Sequence, residues 1–217
     1  MTPIAVLGAG SWGTTLANLL ALKGETVRLW AYEPDVVEAV NQRHENPVFL
    51  PGFPLVPELR AFADAREAVA NAPVIVSAAP SHAVRSVIMG LKGGVRKDAL
   101  VVSATKGIET DTLALMSAVF EECLPEVRFA ALSGPSFATE VCQGQPTLVV
   151  AAELKGTVER LDQAKNQLVL KTARGEETLK ITTSTKGIEH AKQGAKVTVQ
   201  FSEKDGSPKV DEIVAGG

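Results

Sequence analysis

The first residues of the chain contain the feature that most constrains its fold. An apolar strand at residues 4–7, Ile-Ala-Val-Leu, runs directly into glycines spaced Gly-x-Gly-x-x-Gly, and a helix rich in small residues follows. Gly8 permits a sharp bend out of the strand, Gly10 lets the backbone approach a pyrophosphate, and Gly13 lets the helix lie close to the strand. The unpaired amides at the helix N-terminus then face the phosphates. A glycine triplet alone is also typical of a structural turn, but its place between strand and helix predicts a dinucleotide-binding turn.

Length, charge and cysteine content narrow the class of protein. With 217 residues, 45% of them hydrophobic, the chain is long enough for one large or two small domains with real cores. Its formal net charge of -3 combines both signs, whereas a nucleic-acid or anionic-membrane binder needs a concentrated basic face. We therefore expect no nucleic acid and no membrane as partners. No export signal and no apolar stretch of about 18 residues is present, and Cys123 and Cys142 fit reduced thiols, so we expect a cytoplasmic protein.

Up to about residue 151, short apolar strands alternate with helices. Strands are predicted at residues 26–31, 74–78, 100–104 and 129–132, and helices at residues 35–43 and 112–123. This alternation predicts an α/β fold, a Rossmann-type doubly wound sheet of mostly parallel strands with helices on both faces. The proline-rich segment 46–57 is expected to be a surface loop, because proline suits neither a helix interior nor an inner strand.

After about residue 154 the apolar residues recur with period two. Five antiparallel strands are predicted, at residues 157–161, 168–171, 178–181, 197–201 and 210–214. Arg174-Gly175, Gln193-Gly194 and Asp205-Gly206 are turn signals. We therefore predict two domains: a dinucleotide-binding domain at residues 1–153, and a small all-β barrel of oligonucleotide-fold or SH3-like type at residues 154–217.

Three clusters of candidate binding residues follow predicted strands, at the edge where open parallel sheets bind ligands. They are the glycine turn, the segment 79–82 (Ala-Pro-Ser-His) together with the loop that carries Lys106, and the segment 133–136 (Ser-Gly-Pro-Ser). Lys106 fits either an ammonium over a phosphate or an ordinary solvated loop lysine. Gly134 and Ser136 fit either an anion site at a helix start or a helix capped by Ser133 or Ser136.

Together these motifs resemble the bacterial type of NAD(P)-dependent glycerol-3-phosphate dehydrogenase over roughly residues 3–151. Besides the glycine turn, the resemblance rests on Asn-Pro-Val-Phe-Leu-Pro-Gly at 46–52, Pro-Ser at 80–81, Thr-Lys-Gly-Ile-Glu at 105–109 and Ser-Gly-Pro-Ser-Phe-Ala at 133–138. It implies dinucleotide contacts, beside the glycines, from Ser11, Trp12, Tyr32, Lys106 and Ala138. It implies contacts with the small-molecule substrate glycerol phosphate from Lys106, Gly134 and Ser136.

The choice between NAD and NADP stays open. The acid that binds a ribose 2′-hydroxyl usually ends the second strand, where this chain has Ala31, followed by Tyr32 and Glu33. The resembled family often has a basic or histidine side chain at the position of Tyr32, whereas tyrosine supplies only a stacking face and a hydroxyl. Arg28 is on the strand, and Arg43 could reach the 2′ position. The resemblance therefore favours NADP slightly.

The resemblance ends near residue 151. The family continues into an all-helical domain with the catalytic lysine, but no stretch like Gly-Gly-Ala-Leu-Lys-Asn-Val follows residue 151 here, and we assign no catalytic residue. The resemblance implies reversible hydride transfer between sn-glycerol 3-phosphate and NAD(P), giving dihydroxyacetone phosphate. We nevertheless expect little or no turnover by this chain, as a truncated domain fused to a barrel. The alternatives are a catalytically silent NAD(P)-binding interaction module and the product of a chimeric gene.

We expect structural roles for the three histidines and find no binding motif in the barrel sequence. His44 and His82 have no acid partner at a telling spacing, and His190 stands alone in the sequence, so no metal site is expected. The barrel sequence has a single aromatic residue, Phe201, whereas nucleic-acid barrels need stacking platforms. The sequence identifies no ligand and no protein partner for the barrel.

Overall fold

The computed structural model of the chain describes residues 2–134, 136–145, 150–151, 153–172, 175–204 and 207–215. It divides into two compact units, Met1–Val149 and Val150–Gly217. The predicted domain boundary between residues 153 and 154 lies close to this division. That the two domains fold independently stays a prediction. Within the described ranges, no helix is long and apolar enough to cross a bilayer.

The first unit contains strands and short helices in alternation. Its strands, in chain order, are β1 (Ile4–Leu7), β2 (Val27–Trp30), β3 (Glu45–Asn46), β4 (Leu50–Pro54), β5 (Arg60–Phe62), β6 (Val74–Ser77), β7 (Leu100–Ser103) and β8 (Arg128–Ser133). Its helices are α1 (Ser11–Leu22), α2 (Pro34–Glu38), which continues as a π-helical segment (Ala39–Arg43), α3 (Ala65–Val69), α4 (Ser81–Gly90), α5 (Met116–Cys123) and α6 (Ala138–Cys142).

Six of these strands form a parallel sheet in the order β5-β2-β1-β6-β7-β8. Counted along the chain, this is the order 3-2-1-4-5-6 of the doubly wound dinucleotide fold, whose crevice lies where the strand order reverses. Side chains of β1 alternate between two cores. Ala5 and Leu7 pack with residues of α4 and α5, and Val6 packs with residues of α1 on the other face. The predicted Rossmann-type fold is therefore confirmed.

Several elements differ from their predictions. The segment 46–57 is not an irregular loop, because β3 and β4 pair in an antiparallel hairpin anchored by the buried side chains of Asn46 and Leu50. The helix predicted from residue 112 begins only at Met116, because Leu113 has a φ of 58°, which no right-handed helix includes. The three-residue strand β5 was missed, since so short a run shows no periodicity.

The second unit is a closed barrel. After a two-residue strand, β9 (Val150–Ala151), the barrel strands are β10 (Glu153–Asp162), β11 (Gln167–Thr172), β12 (Gly175–Lys180), β13 (Lys196–Lys204) and β14 (Ser207–Ala215). The barrel order is β10-β11-β12-β14-β13, and a 3-10 turn, Ile188–His190, lies between β12 and β13. All neighbours are antiparallel except β12 and β14. The path is thus a Greek key rather than a meander, which favours the oligonucleotide-fold type over the SH3-like type.

The period-two pattern also identified the barrel core. Alternate residues of neighbouring strands, among them Leu168, Leu170, Val199 and Ile213, point inward and are almost fully buried. The predicted turn at Gln193-Gly194 is present, with Gly194 at a φ of 81°. The other predicted turns fall partly or wholly outside the described residues, at Arg174 and at residues 205–206.

One buried ion pair braces the loop after β7. Glu109, only 5% exposed, receives two hydrogen bonds from Arg85 of α4, at 2.7 Å and 2.9 Å. Arg85 also pairs with Glu122 of α5 at 2.8 Å, and the Thr112 hydroxyl donates to Glu109. A bidentate arginine–carboxylate pair fixes both orientation and distance. The brace therefore ties the loop to two helices that cover the sheet.

Truncating a core residue of the barrel tests whether the two units are independent. Leu170→Ala should destabilise the barrel by about 2–5 kcal/mol, because Leu170 is fully buried and the change leaves a cavity. It should leave the urea transition followed by tryptophan fluorescence unchanged, since both tryptophans, Trp12 and Trp30, lie in the first unit. The matched control is Leu29→Ala in β2, equally buried, which should lower that transition. Equal effects of the two variants would mean one cooperative unit.

Replacing Glu109 should destabilise the first unit in a pH-dependent way. Hydrogen bonds from Arg85 and then Thr112 lower the pKa of Glu109 from its ordinary 4.5 to about 2. Such a carboxylate stabilises the fold above its unfolded pKa, and this stabilisation is lost as pH falls through the folded value. The urea midpoint of Glu109→Gln should therefore lie below that of wild type above about pH 4.5, and the two should converge towards about pH 2.

The control for the Glu109 experiment is Glu45→Gln. Glu45 pairs with Arg43 at 2.7 Å, but both side chains are about half exposed. Exposed pairs contribute little to stability, so this variant should differ only slightly from wild type at every pH. A Glu109→Gln difference that stayed constant from neutral pH to about pH 2 would contradict the brace.

Candidate functional site

The structure explains differently why glycine occupies each of the three positions of the turn. Gly8 has a φ of +107°, and a Cβ there would lie 2.8 Å from the Ala79 amide nitrogen, so the predicted bend requires glycine. A Cβ on Gly13 would lie 1.9 Å from the Gly8 carbonyl oxygen, which explains the close approach of α1 to β1. At Gly10, by contrast, no described atom lies within 4 Å of a Cβ, and the φ of -63° suits any residue. Neither packing nor backbone conformation requires glycine at position 10, so the open space there fits a pyrophosphate.

Asn46 supports this turn, and the sequence reasoning gave it no role. Its fully buried amide donates to the Ala9 carbonyl at 2.8 Å and to the Thr14 hydroxyl oxygen at 2.9 Å. The Thr14 hydroxyl donates in turn to the same carbonyl at 3.0 Å. The hairpin β3–β4 thereby fixes the backbone on both sides of Gly10. The signal that could have found it is its place as first residue of the Asn-Pro-Val-Phe motif.

A cavity of about 420 Å³ opens from the glycine turn along the ends of β2 and β6. Its wall includes Gly8, Ala9, Gly10, Trp30, Tyr32, Glu33, Phe49, Ala79, Pro80, His82, Ala83, Ser86 and Val87. This volume is typical of small-molecule sites. Tyr32, 81% exposed, lies at the rim, and Glu33 adds a carboxylate to the wall. Arg43, the basic residue that the sequence offers to a 2′-phosphate, pairs with Glu45 at 2.7 Å.

Lys106 connects the three predicted clusters. Its ammonium donates to the Ser136 carbonyl oxygen at 2.8 Å and lies 5.6 Å from the centre of the Trp12 ring. A second contact holds the loop after β7, because the Thr105 hydroxyl donates to the Ala79 carbonyl at 3.0 Å. The geometry thus brings the exposed Lys106 to the start of α1 and to the segment after β8, and its contact with a phosphate stays a prediction.

The segment after β8 differs from its prediction. Neither Ser133 nor Ser136 caps a helix, since α6 begins at Ala138 and no side chain caps it. The Ser136 amide already donates to the Gly134 carbonyl at 2.9 Å, and the Ser136 hydroxyl makes a weak contact with the same oxygen at 3.5 Å. The hydroxyl of Ser136, which is 3% exposed, therefore retains most of its donor capacity for a ligand.

The other predicted residues lie along the first turns of α1 and α6. Ser11 is the exposed first residue of α1, and Trp12 follows it. The Thr15 hydroxyl contacts the Ala138 carbonyl at 3.5 Å and the Cys142 sulfur at 3.2 Å, so α6 packs on α1. Trp12, Lys106, Ser136 and Ala138 therefore form one neighbourhood, while Tyr32 lies in the cavity wall.

Comparison with known proteins agrees with this geometry. The family model described as NAD-dependent glycerol-3-phosphate dehydrogenase N-terminus matches residues 3–159. A glycerol-3-phosphate dehydrogenase (NAD(P)+) of Nitratidesulfovibrio vulgaris strain DP4 is 49% identical over 164 residues, which are 73% of this chain and 50% of that protein. One from Citrifermentans bemidjiense is also 49% identical, over 72% of this chain and 48% of that protein. The chain thus spans about half the length of the curated relatives it matches.

Solved structures give the same result. The glycerol-3-phosphate dehydrogenase of Coxiella burnetii superimposes with a TM-score of 0.65 at 39% identity, over 69% of this chain and 46% of that one. The enzyme of the same name from Saccharomyces cerevisiae gives a TM-score of 0.63 at 31% identity, over 70% and 47% of the two chains. The chain therefore belongs to the NAD-dependent glycerol-3-phosphate dehydrogenase family, whose cofactor is NAD or NADP, and its first unit is the N-terminal nucleotide-binding domain of that family.

Proposed function

We propose that the first unit binds NAD or NADP along the glycine turn and the adjoining cavity, and binds the phosphate of glycerol 3-phosphate or dihydroxyacetone phosphate near Lys106. The observation that carries the proposal is the contrast among the glycines. Gly8 and Gly13 are required by the protein's own atoms, whereas Gly10 borders open space. Such a space at the start of a helix is what a pyrophosphate needs.

In this proposal each part of the site has a separate task. The free amides at the start of α1 receive the pyrophosphate, and the wall formed by Tyr32, Glu33 and Pro80 accommodates the adenosine end. Lys106 lies beside Trp12, where its charge attracts the substrate phosphate, and the Ser136 hydroxyl donates beside it. When bound, the nicotinamide ring accepts or donates the hydride.

We expect this chain to have little catalytic activity. Oxidising a secondary alcohol needs a group that takes the hydroxyl proton, worth about 10²–10⁴ in rate. We assign Lys106 to binding, because its ammonium already donates to the Ser136 carbonyl at 2.8 Å, and we assign no described residue of the first unit to proton transfer. After residue 150 the described residues form barrel strands rather than helices that order a substrate. We therefore infer nucleotide binding without appreciable turnover, the behaviour of a silent NAD(P)-binding module.

Adding a side chain at Gly10 tests the nucleotide site. Gly10→Val should abolish NADH and NADPH binding measured by calorimetry, because the added methyl groups occupy the pyrophosphate position. It should leave the tryptophan-monitored stability within about 0.5 kcal/mol of wild type, since the space is open. The matched control is Gly90→Val at the end of α4, which also borders open space and should bind as wild type does. Equal affinity of the Gly10→Val protein and wild type would refute the assignment.

Turnover is the second test of the proposal. Purified 217-residue chain, checked for contaminating dehydrogenase, should oxidise NADH with dihydroxyacetone phosphate at the background rate. The physical reason is that we assign neither proton transfer nor substrate positioning to the described residues of either unit, and each effect lowers a reaction barrier by several kcal/mol. A rate above background that disappears in Lys106→Ala would overturn this part, and would assign the proton transfer to Lys106.

A further inference from the structure

The surroundings of the Lys106 ammonium are unusual for an exposed loop lysine. It lies 5.6 Å from the centre of the Trp12 ring, 5.9 Å from the centre of the Phe137 ring, and 2.8 Å from the Ser136 carbonyl oxygen. In the described part of the chain it makes no salt bridge. The partners of this cation are therefore two π faces and one neutral oxygen.

Such partners fix a cation without neutralising it. A carboxylate would cancel the charge of Lys106 and would repel an arriving anion, whereas aromatic rings attract the ammonium through their quadrupoles and leave its full charge. Two rings and a carbonyl also restrict the rotamers of a long flexible side chain. Because ordering such a side chain on binding costs affinity, a preordered ammonium binds an anion more tightly than a free one.

Phe137 is an exposed aromatic residue next to Lys106. Its side chain is 63% exposed, which is unfavourable for a large aromatic residue that contributes only to packing. The loop that carries Lys106 does not depend on it, because Thr105 and Glu109 hold that loop on either side of the lysine. The ring of Phe137 thus acts on the Lys106 side chain and not on the loop backbone.

We propose that Phe137 is a positioning residue, which together with Trp12 clamps the Lys106 ammonium with its charge free for an anionic phosphate. This inference rests on the proposed function only in naming the substrate phosphate as that anion. Phe137 itself needs no contact with the substrate.

The clamp has a direct spectroscopic signature. Lysines methylated reductively with ¹³C formaldehyde give one resonance each, and Lys106→Arg identifies the signal of Lys106. In wild type this signal should be displaced upfield by the ring currents of Trp12 and Phe137. Phe137→Leu should move it towards the position of a free lysine, and Phe137→Tyr, which keeps the π face, should retain the displacement. An undisplaced signal in wild type would overturn the clamp.

The effect on an anion is measured by titration with inorganic phosphate and with sn-glycerol 3-phosphate. Loss of one cation–π contact should weaken affinity about two- to fivefold in Phe137→Leu, and about five- to thirtyfold in the double variant with Trp12→Leu. Phe137→Tyr should bind as wild type does. The matched control is Leu22→Ala, whose side chain is also 63% exposed but lies at the far end of α1, and which should change nothing.

The outcomes separate this inference from the proposed function. If NADH binds and phosphate affinity is equal or tighter in Phe137→Leu, the inference alone is overturned, because the rings then do not prepare the ammonium for an anion. If NADH fails to bind while the ring-current displacement and the phosphate effect are both present, the nucleotide assignment fails and the clamp is supported. Loss of affinity in Leu22→Ala equal to that in Phe137→Leu would contradict a specific role for Phe137.

Discussion

The contact between the glycine turn and the helix that follows it is the constraint on which the first unit depends. A side chain at Gly13 would begin 1.9 Å from the Gly8 carbonyl oxygen, so only glycine lets α1 start directly against the end of β1. That start directs the first amides of α1 past the carboxyl edge of the sheet. The reversal of strand order between β2 and β6, on either side of β1, opens the cavity at the same edge.

The loop after β7 uses charge in two different ways, at the buried Glu109 and at the exposed Lys106. Glu109 is fully paired by Arg85, and the pair binds a loop to two helices, which is a structural use of charge. Three residues earlier in the same loop, Lys106 is held by rings and a carbonyl and keeps its charge. The paired carboxylate makes the loop rigid, and the unpaired ammonium gives it an electrostatic task. An anion is therefore expected at Lys106, whose charge is not neutralised by an acid in the described residues, rather than at Arg85, whose charge is paired with Glu109 and Glu122.

The parts of the structure that follow local rules could be predicted from the sequence. The glycine turn and the five barrel strands were predictable because strict spacing and period-two alternation leave few other structures. Long-range polar contacts could not be predicted, since nothing in the local pattern joins Asn46 to Ala9 or Arg85 to Glu109. The expectation of a helix start at residues 133–136 was wrong, since α6 begins at Ala138. Serine and glycine are as common in tight turns as at helix caps, so the local sequence does not distinguish the two.

The central claim is that a dinucleotide binds at the carboxyl edge of the sheet, where Lys106 also lies. Amide chemical-shift mapping of the ¹⁵N-labelled chain during NADH titration tests it most directly. The account predicts the largest shifts at Gly10–Gly13, at Ala79 and at Lys106, and little change at the opposite edge, where Val27, Val74 and Leu100 begin their strands. Shifts concentrated at that opposite edge, or none at the glycine turn at saturating NADH, would contradict it.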